Sequence, residues 1–344
     1  MSMEQVQKAL DTVVGANLIR QDLSATISIT DGRPRPVLQH APVNKARGVV
    51  HEWDEQSLVV PGSGVASYAD GTTPTADAVA AAQNSNQTCR IGKTAQVTDD
   101  MVAAFTGGGS WVLADGETEK LVQEAIDFQT ELKTREVLDE CEWMHISGNH
   151  TVVSGFPGGQ TDGLVTWITA NGYINANGGT ATTPVAFAEQ TVRDTMRGVA
   201  EKFPAMMPDT ILVPPELKAD FNTFTGAGAG NPIVRVLPNS EAVNGFVAGV
   251  PEVKFYDSGY GVLAVREEPN LSPLFNPLLS GEIYQNVLLY NSKQVRHSQL
   301  RPLGAEQLAR INTSVQRMIT TTFAQEHRVA KHTAIIQYQK SSVA

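Results

Sequence analysis

The 344-residue sequence holds only two cysteines, Cys89 and Cys141, in very different sequence contexts. A chain of this length with two cysteines has no disulfide framework, and a reducing compartment is the natural expectation. Aromatic residues are scarce at 6%, whereas Gly, Ala and Thr are plentiful. That mixture suits a broad, loop-rich protein better than a barrel filled with large side chains. Lys/Arg-rich runs are missing and the formal net charge is −10. A protein that grips nucleic acid by its phosphates usually shows a basic face, so the acidic balance argues against a dedicated DNA-binding role. No window approaches the roughly 18 apolar residues that cross a bilayer. The opening MSMEQVQKAL lacks the basic stretch and apolar run of a secretion signal. The expectation is a soluble protein made in the cytosol, with no membrane partner.

What is present supports a real core: 41% of residues are hydrophobic and 18% charged. The length suits one large domain or two lobes. Residues 1 to about 45 read as an arm. A short amphipathic opening (Val6, Leu10, Val13, Val14) leads into a stretch broken by Pro34, Pro36 and Pro42. Prolines at that density discourage regular structure and favour an extended path. Strand-like runs follow at Val49–Val60, with Trp53 as its one large anchor, and at Thr88–Thr98. The second alternates: Cys89, Ile91, Ala95 and Val97 point one way, Arg90, Thr94, Gln96 and Thr98 the other. Between them lies PGSGVASYADGTTPTADAVAAAQNSNQ, small and polar, longer than connections within compact domains usually are. The reading is a long hairpin with a flexible tip that reaches beyond its own subunit.

From Glu117 to Ser147 there is neither glycine nor proline, and Leu121, Ala125, Phe128, Leu132, Leu138, Cys141 and His145 recur at helical spacing. Asp115, Glu117 and Glu119 crowd the start and Gly148 follows the end. Glu131 and Arg135 are placed for an i,i+4 pair. Such a helix is about 45 Å long. Thr151–Thr183 reads as loop with short strands, Pro184–Lys202 as a helix, Thr210–Val213 as a strand and Pro215–Phe224 as a helix. Strands are expected at Ile233–Leu237, Val253–Tyr256 and Gly261–Arg266, giving a small mixed α/β lobe. The chain finishes in a long strand-like run, Met318–Tyr338.

That order of elements resembles the major capsid proteins of tailed phages, the Hong Kong 97-type fold. HEWDEQSL (His51–Leu58) resembles the family's entry to its extended loop, and RIGKTAQVTDDM (Arg90–Met101) the return strand. Glu119–Gly148 is similar to its spine helix, Asp257–Leu271 to a tyrosine–glycine strand turn, and Pro302–Gln337 to the closing strand pair. The resemblance covers most of the chain from about residue 48; Pro204–Val250 matches in outline.

The resemblance implies an α+β fold with an N-terminal arm (1–48), an extended β-hairpin loop (49–110), a peripheral domain with the spine helix (111–182), an axial domain (183–289) and the peripheral closing strands (290–344). It implies a structural, non-enzymatic subunit that self-assembles into the hexamers and pentamers of an icosahedral phage head, built in the bacterial cytoplasm and ending in the virion. Partners would be copies of itself, portal, scaffold and decoration proteins, and packaged double-stranded DNA held without sequence-specific contacts. An acidic wall that does not adhere to DNA fits that role. Trp53, Arg90, Lys93, Glu131, Arg135, Glu140 and Glu142 are the expected assembly residues. An encapsulin-like nanocompartment shell is the alternative, and a sugar- or polymer-cleaving enzyme a third reading from another class.

Catalytic, cofactor and metal sites are not expected. His327 and His332 are five apart, as are His145 and His150, which is not the i,i+4 spacing of a helical zinc motif. Gly226, Gly228 and Gly230 alternate, but Asn231 stands where a dinucleotide fingerprint needs glycine. Gly107–Gly109 precede Ser110 and Trp111 without the closing glycine of a nucleophile elbow. Glu136, Asp139, Glu140 and Glu142 are expected to form a solvated or intersubunit face of the long helix, and the cysteines to act as small buried hydrophobes. Some proteins of this fold crosslink through a lysine and an asparagine. Lys93 lies at the base of the hairpin and residues 62–87 contain no lysine, so no crosslink is expected by that route.

Overall fold

The computed structural model describes residues 33–56, 70–73, 81–98, 117–149, 159–175, 187–202, 206–218, 255–272, 284–309, 314–329 and 332–339. The chain forms two compact units. The first comprises Met1–Arg33, Ile91–Glu140 and Pro302–Thr321; the second comprises Pro34–Arg90, Cys141–Arg301 and Thr322–Ala344.

The larger, second unit is built on a six-stranded sheet in the order β5-β12-β9-β6-β8-β7. Its strands are β5 (Tyr173–Asn175), β6 (Thr210–Val213), β7 (Phe255–Asp257), β8 (Val262–Glu267), β9 (Tyr284–Tyr290) and β12 (Ala334–Gln339). β6 is buried along its whole length, and Val287–Tyr290 and Ala334–Ile336 are equally enclosed. Strands covered on both faces read as continuous apolar runs, which is why TILV, VLLY and AII show no alternation. On one face Ile211, Val213, Leu263, Val287, Leu289 and Ile336 pack with Val192, Met196 and Val199. Those three belong to α4 (Glu189–Lys202), whose apolar residues recur at helical spacing. On the other face Leu212, Leu288, Tyr290 and Ile335 meet Ile146, Leu164, Ile168 and Val37. The sheet takes β5 and β12 from outside residues 183–289, so this core joins segments far apart in sequence.

The long helix is α2, Glu117–Ser147, with the bounds expected of it. Its buried stripe differs from the expected one. Ile126, Val137, Cys141, Met144, His145 and Ile146 are enclosed, whereas Ala125, Phe128, Leu132 and Leu138 are half-buried. Gly148 ends it for a packing reason: a Cβ there would lie 2.3 Å from Thr161 O and 2.5 Å from Met144 O.

In the first unit the described residues place Ile91, Ala95, Val97, Ile126, Val137 and Ile319 in the interior. The alternation expected of Thr88–Thr98 is seen in β4, Cys89–Thr98. β4 is the last strand of a four-stranded sheet, order β1-β10-β11-β4, with β1 (Val43–Lys45), β10 (Val295–Gln307) and β11 (Ser314–His327).

Several expectations are corrected. The Val49–Val60 run, β2 (Val50–Gln56), pairs with β3 (Ala81–Gln87), a segment expected to be loop, and not with Thr88–Thr98. AAQNSNQ carries no strand signal of its own; it is held by pairing from Val50↔Gln87 to Gln56↔Ala81. The proline-broken stretch contains a one-turn helix, α1 (Pro36–His40), with Pro36 at its start, where a missing N–H costs nothing. Thr151–Thr183 contains a helix, α3 (Leu164–Asn171). The Met318–Tyr338 run is two strands, β11 and β12, in different sheets. The helix expected at Pro215–Phe224 is seen as α5, Pro215–Lys218. The opening of the arm, the hairpin tip, Gly107–Gly109, Gly226–Asn231 and Ile233–Leu237 lie outside the described residues.

Candidate functional site: anchors of the arm and the hairpin

The β2–β3 hairpin is fixed at its base to the rest of the second unit. Thr88 donates to Val49 O through both N–H and Oγ1, each at 2.7 Å. Asn86 is buried, and Nδ2 donates to Gln325 O at 2.8 Å and to Asp162 O at 3.1 Å. Its Oδ1 accepts the Asp162 N–H at 2.9 Å, so the side chain stands in for a backbone strand partner. Away from the base, Glu52, Asp54 and Gln56 are exposed on β2 and Ala81–Gln83 on β3.

Glu326 of β11 joins arm and hairpin. Its Oε2 accepts from Asn44 Nδ2 at 2.9 Å, from His51 Nε2 at 3.0 Å and from Ser298 Oγ at 3.1 Å, while Oε1 accepts from Arg328 Nε. Burial alone would push this carboxyl up. The hydrogen bonds from His51, Asn44 and Arg328 outweigh it and hold the group down at about 2. Asn44 lies on β1 and His51 on β2, so one buried carboxylate clamps both segments. A further tie runs from the Val329 N–H to Glu55 Oε1 at 2.6 Å. Val329 has φ 55°, a left-handed backbone unusual for a β-branched residue.

The arm turn α1 is held by the long helix. Glu142 Oε1 accepts the Val37 N–H and Oε2 the Leu38 N–H, each at 2.8 Å. Arg35, at the cap position, supplies no side-chain hydrogen bond there. The carboxylate from α2 therefore satisfies donors that the first turn leaves open.

Beside these anchors His145 and His297 are buried, with Nε2 of one 2.8 Å from Nδ1 of the other, and both rings pack on Phe323. Burial lowers both, His297 to about 4. At neutral pH the pair is uncharged, and one ring donates its N–H to the other.

The expected assembly residues separate into two groups. Trp53 is buried between His51 and Trp167, with ring centroids 5.8 and 5.6 Å away, and Glu142 is buried on α1. Glu142 is thus no part of a solvated acidic face, which corrects that expectation. About 200° of helix separates it from Glu140, on the side of Leu138 and His145. The others lie at or near the surface. Arg90 is exposed on β4. In the first unit Lys93 Nζ lies 2.7 Å from Glu140 and 3.3 Å from Glu136, which also meets Lys133. Arg135 and Glu131 form the expected i,i+4 pair at 2.7 Å. Sequence reasoning missed Glu326, Asn86 and Glu268. A charged residue directly after the uncharged stretch Met318–Gln325 was the available signal for Glu326; Asn86 had none.

Cys89 and Cys141 are buried thiols, and burial raises Cys89 to about 12, far from a nucleophile. No group of three metal-ligating side chains is found among the described residues. Two acidic residues do converge, Glu142 and Glu268, but in the interior and against backbone donors.

A family model, SU10 major capsid protein, matches residues 5–339. The chain belongs to that family. No curated protein matches it. Among solved structures, a chain from Mycobacterium phage Bobi aligns with a TM-score of 0.54 at 15% identity, over 96% of this chain and 99% of that one. The capsid of Myoviridae phage XM1 aligns at 0.55 with 10% identity, over 95% and 98%. The SrpI encapsulin of Synechococcus elongatus aligns at 0.52 with 10% identity, over 91% of each chain. Likeness at such identities is one of fold, the Hong Kong 97 type, and family membership makes the chain a major capsid protein, a structural virion component that assembles with copies of itself. In this capsid subunit Glu326 and Glu142 are the groups that tie arm and hairpin base to the body.

Proposed function

We propose that this capsid protein builds the hexamers and pentamers of an icosahedral head around double-stranded DNA, using its arm and its β2–β3 hairpin as the connectors between subunits. The observation that carries this is the two-sidedness of the hairpin: Asn86, His51 on Glu326 and Glu55 on the Val329 N–H hold it to its own subunit, while Glu52, Asp54, Gln56 and Ala81–Gln83 are exposed. A ribbon held to its own subunit on one side and exposed on the other is suited to lie on an adjacent copy. Head-to-tail contacts of that kind close into rings, and many modest contacts engaged together give avidity.

Arg90, Lys93, Glu131, Arg135 and Glu140 are the surface groups offered to neighbours, whereas Trp53 and Glu142 act from inside. Residues 183–289 would supply the axial domain, and the remainder the arm, hairpin and peripheral domain. The net charge of −10 favours a wall that does not adhere to the packaged DNA. Portal, scaffold and decoration proteins are the further partners, assembly takes place in the bacterial cytoplasm, and the subunit catalyses no reaction.

Expression of the chain alone and with its neighbouring genes, followed by negative-stain microscopy, tests this. Closed shells, sheets or tubes are expected; monomers under every condition would refute it. A protein-filled nanocompartment is the second reading, favoured by the encapsulin's likeness of fold. Nuclease-protected DNA inside purified particles separates the two.

A further inference from the structure

We propose that Glu142 and Glu268 hold one shared proton, and that this proton is the latch keeping the Pro36–His40 turn docked. Both side chains are buried, at 1% and 0% exposure. Each Glu142 oxygen accepts a backbone N–H of the turn, from Val37 and Leu38, so this carboxyl is committed as an acceptor. Glu268 Oε1 accepts from the Asn270 N–H at 3.0 Å and from Asn270 Nδ2 at 2.7 Å. Counted as a carboxylate oxygen, Glu268 Oε2 has no donor among the described residues, yet the Glu268 carboxyl is in hydrogen-bonding contact with Glu142. Two acceptor-only groups cannot bond each other, and an orphaned carboxylate oxygen in the interior is costly. A proton on Glu268 resolves both: Oε2–H donates to Glu142, which stays ionised and caps the turn.

The surroundings agree. Burial, then the negative charge of Glu142, pushes Glu268 well above the ordinary carboxyl range. Burial raises Glu142 too, while the hydrogen bonds from Glu268, Val37 and Leu38 and the charge of Arg35 on the arm favour its ionised form. The Tyr290 hydroxyl of β9 feels the charge of both carboxyls, and Arg266 of β8 and Asp209, the residue before β6, act on that hydroxyl as well. Arg266 Nη1 also donates to His40 Nε2 at 2.6 Å, while His40 Nδ1 lies 2.8 Å from Pro36 O, a second tie on the turn. A carboxyl whose value is raised by folding stabilises the folded form below its ordinary value and loses that contribution as pH climbs through the raised one. Loss of that proton as pH is raised therefore places two like charges side by side and releases residues 36–40.

The test uses the purified full chain. Infrared spectra of wild type at neutral pH are expected to show the band of a protonated buried carboxyl, absent from Glu268→Gln. That variant keeps a donor toward Glu142 but cannot titrate. Hydrogen exchange of the Val37 and Leu38 amides, corrected for intrinsic rates, should lose protection in wild type as pH is raised and keep it in Glu268→Gln. In Glu142→Gln these amides should exchange about tenfold faster or more at neutral pH, the loss of a charge-assisted bond. Absence of the carboxyl band from wild type, the same alkaline loss in both proteins, or unchanged exchange in Glu142→Gln would each overturn the proposal. If a variant does not fold, the wild-type spectrum and pH profile decide it.

Discussion

His51 Nε2 lies 3.0 Å from Glu326 Oε2 with both side chains enclosed, so the first strand of the hairpin is fastened to the body by a buried histidine–carboxylate pair. This contact, shared with Asn44 of the arm, motivates the first prediction.

Glu326→Gln keeps the volume but loses the charge that Asn44, His51, Ser298 and Arg328 surround. The carboxyl is held at about 2 against an ordinary 4.5. Its folded value is depressed, so its contribution is present above 4.5 and disappears as pH falls from there toward 2. Wild type should exceed the variant by up to about 3 kcal/mol at neutral pH. Urea unfolding of both proteins across the acid range should show the gap closing.

His327 is fully buried, and neither ring nitrogen finds a hydrogen-bond partner among the described residues. Burial lowers it from 6.5 to about 4. The unfolded chain takes up the proton first, so stability is intact above 6.5 and is lost as pH drops toward 4. His327→Phe removes two orphaned polar atoms and the titration together. It should lie within about 1 kcal/mol of wild type at neutral pH and become the more stable protein in acid. Thermal melts at several pH values check the crossover.

Gly148→Ala should be among the most damaging small changes. Its Cβ would meet Thr161 O and Met144 O, both backbone atoms, at distances no real contact shows. Loss of roughly 2 kcal/mol or more is expected, read as a lowered melting temperature or loss of soluble protein.

Lys93→Met breaks the pairs with Glu136 and Glu140, but all three side chains are substantially exposed to water, at 32% to 45%. Stability should fall by no more than about 1 kcal/mol, and less at high salt. Lys93 is also expected to form no covalent link: shells of the wild-type protein dissolved in SDS should run as monomer, and a ladder of multimers would contradict this.

The pattern of individual segments was legible wherever one periodicity dominated. The Cys89–Thr98 alternation, the Gly- and Pro-free Glu117–Ser147 helix and the Glu131–Arg135 pair follow from side-chain spacing along a single element, which local physics decides. Ala81–Gln87 and Leu164–Asn171 were not legible as strand and helix. The first is two alanines followed by an unbroken polar run, without alternation, and the second is too short to show its period inside a Gly-, Thr- and Asn-rich stretch.

Sequence by itself determined the strongly periodic elements and the resemblance to a capsid family, because propensity, periodicity and the order of segments are properties of the chain read in line. Only the tertiary structure decided that Val50–Gln56 pairs with Ala81–Gln87, that Tyr173–Asn175 and Ala334–Gln339 share a sheet with β6, and that Glu142 and Glu326 hold the arm and hairpin base. Those are contacts between residues up to 282 positions apart. Which distant acceptor a buried donor finds depends on how the layers close around it, and no local pattern encodes that.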